Sequence, residues 1–272
     1  MNSPFENINK AFSKQSSAFD EYDKSNPILQ WMRLQTHQHV MKYLQPGQKM
    51  LELNAGTGID AVFFAQKEIY VHAIDIADGM LSELEKKIKI LRLNDRVSFQ
   101  KCSFTELHKI QEREFDYVFS NFGGLNCASD LSMVIDGLKP LLKPGARLTF
   151  VIMPSICPWE ILSIFKGNLK MTFRRFKRNG VLSHLEGFYF NTYYYSPAKL
   201  IRLFGKDYHL IKLQGLGSIS PPPYKDQFSS KFPGIYKFLT KAEEKVASKF
   251  PFNSWADHII LTMQYLPFEL SS

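Results

Sequence analysis

Met50-Leu51-Glu52-Leu53-Asn54-Ala55-Gly56-Thr57-Gly58 decides how the rest of this chain is read. Met50, Leu51 and Leu53 enclose one acid, the pattern of a short, mostly buried strand. Gly56 and Gly58 predict a tight turn. From Ile59 the residues Ala61, Val62, Phe63, Phe64, Ala65 and Gln66 read as a helix. Strand, glycine turn and helix N-terminus make a nucleotide cradle, because backbone without side chains lets a ligand reach its N–H groups. About twenty residues on, His72-Ala73-Ile74-Asp75 closes a second apolar run with an acid, placed to accept both hydroxyls of a ribose.

Two cofactors suit that cradle. Gly56-Thr57-Gly58-Ile59-Asp60-Ala61 satisfies the dinucleotide pattern G-x-G-x-x-G/A, which would make the chain an NAD(P)-dependent oxidoreductase. Glu52 favours a different ligand. An acid there suits a cationic amino group and no pyrophosphate, as in S-adenosylmethionine (SAM). The stretch resembles motif I of the class I SAM-dependent methyltransferases, E/D-x-G-x-G-x-G, with Asn54 in place of the first glycine. Asn tolerates positive φ better than other non-glycine residues, so the turn remains accessible.

The resemblance continues in order along the chain. Met80-Leu81 is similar to the family's "ML" pair, whose methionine lies near the adenine. Ser103 stands where many relatives carry an Asp that faces the adenine amino group, and Phe104 is positioned to pack on the ring. Phe115-Asp116-Tyr117-Val118 resembles the "FDxV" strand, and the loop from Asn121 and Phe122 is the family's methyl-transfer edge. Leu142-Lys143-Pro144-Gly145-Ala146-Arg147-Leu148 matches the turn before strand five. Near the N-terminus, Ala11-Phe12-Ser13-Lys14 and Phe19-Asp20-Glu21-Tyr22-Asp23 look like the cap of the biotin- and quinone-pathway methyltransferases. The implied cofactor is SAM, with S-adenosylhomocysteine as product. The implied contacts are Phe19 or Tyr22, Arg33, Glu52, Asn54, Ala55, Gly56, Gly58, Asp75, Ile76, Met80, Ser103, Phe104, Asn121 and Phe122. Arg33 would meet the cofactor carboxylate or, as a helical arginine more often does, face solvent.

The implied fold is α/β: a Rossmann-like, doubly wound, seven-stranded sheet, mostly parallel with an antiparallel last strand, plus helical substrate-side insertions. Residues 1–45 read as an N-terminal helical cap and 46–153 as the SAM-binding core. Residues 154–206 are an aromatic and basic insertion, and 207–272 return to the core through a proline-rich excursion at Ser220-Pro221-Pro222-Pro223. Length permits this, since 272 residues hold one large α/β domain with insertions. Asp78 is expected as an N-cap, and Asp130 to Leu142 as one helix.

Composition narrows the partners. With 23 Phe and 12 Tyr, the chain is rich in rings that suit an apolar pocket or a thick core. A net charge of +8 favours an anionic partner. The segment from Lys166 to Arg178 has no acid. It reads as an amphipathic helix, with Phe165, Leu169, Phe173 and Phe176 on one face and Lys166, Lys170, Arg174, Arg175, Lys177 and Arg178 beside them. Such a helix suits an acidic carrier protein or an anionic membrane surface. Nucleic acid is disfavoured, because the charge is confined to one short segment without a recognised binding motif. Cys102, Cys127 and Cys157 show no CxxC spacing and are odd in number, which points to a reducing compartment, no disulfide framework and no metal. With neither a signal-peptide core nor an apolar run of transmembrane length, the expected location is cytoplasmic, and the basic stretch leaves a position peripheral to the membrane open as the alternative.

Methyl transfer requires an in-line nucleophile, and a base only if that nucleophile must lose a proton. Candidate bases are His37, His39, His184 and Glu160, with His184 first because it falls in the substrate-side insertion. Tyr194, with Tyr193 and Tyr195, is a candidate positioning group. The reading is a methyltransferase for a small apolar or aromatic acceptor, O-directed before C-directed. Its rivals are an NAD(P) oxidoreductase and a non-catalytic SAM-fold scaffold.

Overall fold

The computed structural model describes residues 4–267; positions 1–3 and 268–272, the ends of the first and last segments above, lie outside the described residues. Two helices precede the sheet, α1 (Pro4–Ser25) and α2 (Pro27–Val40). Asn26 separates them: its side-chain oxygen accepts from Ile28 and Leu29 N–H, an N-cap followed by proline at the first helical position. The expected helical cap is therefore one long helix and one shorter helix.

The core then alternates: β1 (Lys49–Leu53), α3 (Ile59–Ala65), β2 (Tyr70–Asp75), α4 (Asp78–Leu91), β3 (Val97–Lys101), β4 (Phe115–Ser120), α5 (Ser132–Leu138) and β5 (Leu142–Ile152). Asp78 is the first residue of α4 rather than its cap. Ala77 holds the cap position, and Asp78 binds Lys101 instead. Asp130 caps a turn by accepting from Ser132 N–H, so α5 starts two residues later than expected. Its last turn, Lys139–Leu141, tightens to a 3-10 helix at Pro140.

After β5 come α6 (Pro158–Ile161), α7 (Leu169–Phe173), β6 (Val181–Leu185), β7 (Phe188–Thr192), α8 (Pro197–Phe204), β8 (Tyr208–Leu216), α9 (Gln227–Lys231), α10 (Pro233–Val246) and β9 (His258–Tyr265). The expected amphipathic helix over 165–178 does not form. Gly167, at φ 70°, ends a 3-10 turn, and Asn168 caps a new helix by accepting from Met171 N–H. The insertion also contains a β6–β7 antiparallel hairpin besides its helices, with Glu186 and Gly187 at positive φ in its turn.

The large sheet has the order β3-β2-β1-β4-β5-β9-β8. β1, β2, β3, β4 and β5 pair in parallel, and β9 runs antiparallel between β5 and β8. Strand order reverses between β1 and β4, and in open α/β sheets the crevice beyond the strand carboxyl ends at that point takes the ligand. Both sheet faces are covered. Leu53, Val118, Leu148 and Phe150 pack on one side under α5 and α8. Met50, Phe64, Phe119 and Val151 pack on the other under α2 and α3. Fully buried parallel strands of this kind read as near-continuous apolar runs, and β5 does so from Leu148 to Ile152. Among the described residues, no helix is long and apolar enough to cross a membrane.

Candidate active site

β1 delivers the glycine turn to the crevice. Asn54 (φ 48°), Gly56 (φ 58°) and Gly58 (φ 79°) all adopt left-handed backbone there. Asn54 stands in for glycine with its amide engaged at both ends: Nδ2 donates to Asn121 O at 3.2 Å and Oδ1 accepts from Ser120 Oγ at 2.7 Å. The side chain thus ties the end of β1 to the end of β4. Gly124 makes room for it, since a Cβ there would lie 2.3 Å from the Asn54 amide. Gly58 has a packing role. A Cβ on it would meet Leu84 Cδ1 at 2.2 Å, and it is not part of the cavity wall, so its expected cofactor contact is replaced by closure of α3 onto α4.

A cavity of about 400 Å³ opens above this turn. Of the expected contacts, Phe19, Arg33, Asn54, Ala55, Gly56, Asp75, Ile76, Met80, Ser103, Phe104, Asn121 and Phe122 line it. Asp75 accepts Gly56 N–H at 2.8 Å on one oxygen and Ala77 N–H at 2.8 Å on the other, which clips the glycine turn to the end of β2. Each carboxylate oxygen has a second lone pair, so capacity remains for hydroxyls. Burial pushes the Asp75 carboxyl up, against those N–H bonds. Ser103 Oγ is engaged locally by Thr105 N–H and Thr105 Oγ1, and Phe104 meets Phe5 edge-on.

Glu52 lies in the strand behind this wall, 2% exposed, and its Oε2 has no hydrogen-bond partner. Burial, then repulsion from Asp60, raises its carboxyl well above the ordinary range, with Arg33 opposing. A buried carboxylate left without a partner is costly, and a ligand cation would supply one. Glu52 itself is not in the cavity wall; Asp75 and the Gly56 turn are, and with the orphaned Glu52 carboxyl behind them the donor and acceptor set fits an adenosyl sulfonium.

Arg33 is buried, contrary to a solvated helical arginine. Its Nη1 donates to Asp60 Oδ1 and its Nη2 to Asp23 Oδ1, both at 2.6 Å, and its guanidinium lies 4.7 Å from the Phe122 ring centroid. Asp60 is one cavity residue that sequence reasoning missed. It binds Arg33, His37 Nε2 at 2.6 Å and Asn121 Nδ2 at 2.9 Å. Burial opposes its ionisation, but Arg33 and His37 outweigh that and hold its carboxyl far below the usual range. An acid two residues past Gly58 reads in sequence as helix-dipole complementarity, which conceals this role.

The rest of the cavity wall is largely apolar and comes from three separate places. α1 contributes Phe5, Ile8, Phe12 and Phe19; the β4 and β5 ends contribute Cys127 and Met153; the hairpin contributes Ser183, His184, Leu185, Phe190 and Thr192. Helix and hairpin close on each other through Phe12 and Phe190, 5.8 Å apart, and through Asn7 Nδ2 donating to Tyr189 O. His184 borders the cavity from the outer side of the hairpin: Val181, Ser183 and Leu185 are the half-buried positions of β6, and the His184 ring is exposed and packs on the exposed Tyr189, 4.7 Å between ring centroids.

Several expected residues lie elsewhere. Tyr22 is 48% exposed and contacts Asn26, so of the two cap rings only Phe19 reaches the cavity. Glu160 is buried in an ion cluster, bound by Arg174 and Arg175 at 2.6 Å. This cluster holds its carboxyl below the ordinary range despite burial, the wrong direction for a base, and it is not in the cavity wall. Cys157, Glu160 and Asp257 bring potential metal-ligand atoms within 4.8 Å of one another, but Arg175 already bridges the two carboxylates. Tyr194 lies over that Arg175, Tyr195 donates to Ala128 O, and Tyr193 packs into the core. None of the three lines the cavity. His37 is stacked on Phe63 and bound to Asp60, and His39 is held between Gln214 and Thr262.

Residues 50–145 match a family model described as a methyltransferase domain. The demethylmenaquinone methyltransferase of Clavibacter sepedonicus is 31% identical over 150 residues, 52% of this chain and 58% of that protein. The chain thus spans little more than half the length of the relatives it matches. In fold it is similar to the Burkholderia thailandensis 1,6-didemethyltoxoflavin-N1-methyltransferase solved with S-adenosylhomocysteine, with a TM-score of 0.59, 16% identity, and 98% and 92% of the two chains covered. A structure described as a SAM-dependent methyltransferase from Listeria monocytogenes gives a TM-score of 0.58 at 14% identity, over 84% of this chain and 95% of that one. These matches favour the methyltransferase over the dinucleotide oxidoreductase that Gly56-Thr57-Gly58-Ile59-Asp60-Ala61 also allowed.

Proposed function

We propose that this member of the class I SAM-dependent methyltransferases, whose methyltransferase domain spans residues 50–145, methylates a small apolar or aromatic acceptor, at oxygen before carbon. The observation that carries the reading is one cavity lined both by the Gly56 and Asp75 cradle and by the rings of Phe12 and Phe190. When bound, SAM supplies a methyl group on a sulfonium, whose displacement leaves a neutral thioether and needs no acid. The protein's part is alignment and exclusion of water. Asp75 would take the ribose hydroxyls, and Glu52 would meet the ammonium from beneath the turn. Phe12, Phe104 and Phe190 would hold a flat apolar ring, as apolar walls with a few polar groups do. Of the candidate bases only His184 borders the cavity, at the exposed rim of the hairpin, where it could take a hydroxyl proton from an acceptor that must lose one. A lipid, a quinone, a polyketide or a carrier-bound acyl chain fits this description. The relatives named demethylmenaquinone methyltransferases favour a quinone within it.

Titration calorimetry with SAM, S-adenosylhomocysteine and NADH tests the cofactor, and transfer of labelled methyl to a panel of quinols, phenols and demethylmenaquinol tests the acceptor. The expected result is SAM binding without NADH binding, and labelling of at least one hydroxyl-bearing ring. Replacing His184→Asn should then lower turnover by about 100-fold or more while SAM affinity stays the same. SAM binding with no acceptor labelled anywhere in the panel would return the chain to the scaffold reading.

A further inference from the structure

The substrate-side insertion leaves large apolar side chains in water. Phe165 is 85% exposed, and Leu169, Phe173 and Phe176 are each half exposed or more. Breaking the expected single helix at Gly167 and Asn168 scatters these side chains over short turns instead of burying them against the core. A second segment does the same: Phe232, between α9 and α10, and Phe238 on α10 are 49% and 70% exposed. The two segments abut, because Trp159 at the start of α6 contacts Phe228 of α9, 6.3 Å between ring centroids.

Charge follows the same boundaries. From Ile161 to Leu185 the chain has no Asp or Glu, and from Gln227 to Ala242 it again has none. Lys166, Lys170, Lys177 and Arg178 in the first stretch, and Lys231, Lys237 and Lys241 in the second, are exposed. Arg174 and Arg175 are different: the Glu160 and Asp257 carboxylates hold them in the protein, so they serve the fold of the insertion and not its surface. Exposed aromatic rings interleaved along the chain with lysines, in stretches without acids, are complementary to a surface that is negative at the outside and apolar just beneath.

We infer that the face built from residues 161–178 and 228–241 docks the protein on an anionic lipid bilayer. A bilayer suits both components at once. The rings insert at the headgroup boundary, and the lysines meet lipid phosphates. An acidic carrier protein would use the lysines and leave Phe165 and Phe238 with nothing to enter. A second copy of the chain would bring like charges together. The same insertion continues into the β6–β7 hairpin that forms the apolar wall of the cavity, so docking would bring that wall's element to the lipid surface.

Vesicle co-sedimentation of the full chain tests this without catalysis. Vesicles of phosphatidylglycerol and phosphatidylcholine should bind the protein, pure phosphatidylcholine should bind it at least tenfold less, and added salt should weaken binding. Phe165→Ser with Phe173→Ser, and separately Lys166→Glu with Lys170→Glu and Lys177→Glu, should each lower partitioning at least tenfold. All five positions are exposed, so both variants should keep the parent's circular dichroism and urea midpoint. Equal binding by the parent and both variants, or no binding to anionic vesicles, overturns the inference. So does tight binding to purified acyl carrier protein that the lysine changes abolish and the phenylalanine changes leave intact. Salt-resistant dimers that the phenylalanine changes dissolve would also overturn it, assigning the face to a second copy.

Discussion

Arg33 Nη1 lies 2.6 Å from Asp60 Oδ1, joining the cap helix α2 to the first turn after the glycine loop. Both side chains are buried, and Asp23 takes the other arm of the guanidinium. The pair makes the cap a structural part of the cofactor cradle. Removing one member of a buried pair leaves an uncompensated charge. Arg33→Met should therefore cost about 3–5 kcal/mol of stability, read from urea unfolding, and weaken SAM binding. Adding Asp60→Asn to Arg33→Met should recover part of the loss. Additive effects in that double variant would show that the two residues do not act as a pair.

The Asn54 amide and Gly124 are a matched set, because the amide occupies the space a Cβ at position 124 would need. Gly124→Ala should destabilise the protein by about 1–3 kcal/mol through overpacking. In an Asn54→Gly background the same change should cost much less, since glycine keeps the left-handed turn and vacates the space. Thermal unfolding of the four proteins in this cycle measures the coupling.

Glu52 is set up for a ligand at the expense of the free protein. Its folded pKa is raised, so its unfavourable contribution is absent below the ordinary carboxylate range and grows as pH rises through and above it. Glu52→Gln should raise the urea midpoint of the ligand-free protein at pH 7, and the gain should vanish near pH 4. The same change should weaken SAM binding at least tenfold, as a charge-assisted contact is lost. A variant that binds SAM as tightly as the parent would remove Glu52 from the site.

His39 provides a stability switch away from the site. Burial lowers its pKa to about 4 from an ordinary 6.5. The unfolded chain then takes up the proton first, so stability is complete above pH 6.5 and falls as pH drops toward 4. Between pH 7 and pH 5 the parent should lose about 2 kcal/mol more than His39→Gln, by urea unfolding at the two pH values. Parallel losses in both proteins would assign the acid sensitivity to other groups.

Local chemistry was legible from sequence wherever it is carried by neighbouring residues. The glycine turn, the acid ending β2, the apolar strands and their order follow from spacing over a few residues, and they recur in the structure from Lys49 to Ile152. The basic stretch was misread as one helix for a related reason. Periodicity marks apolar faces but is blind to Gly167 and Asn168 acting together as a stop and a new cap. Its charges were then reassigned by tertiary partners, with Arg174 and Arg175 drawn inward by Glu160 and Asp257.

The sequence by itself determined the doubly wound sheet, the cradle and the class of cofactor it suits, because each depends on backbone conformation and burial pattern within a short window. Only the tertiary structure decided what stands opposite the cradle. Phe12, Met153 and Phe190 are far apart along the chain, and no periodicity links them. Long-range packing of α1 on the β6–β7 hairpin brings them to one cavity, and the same packing sends Glu160, Tyr22 and Tyr194 elsewhere.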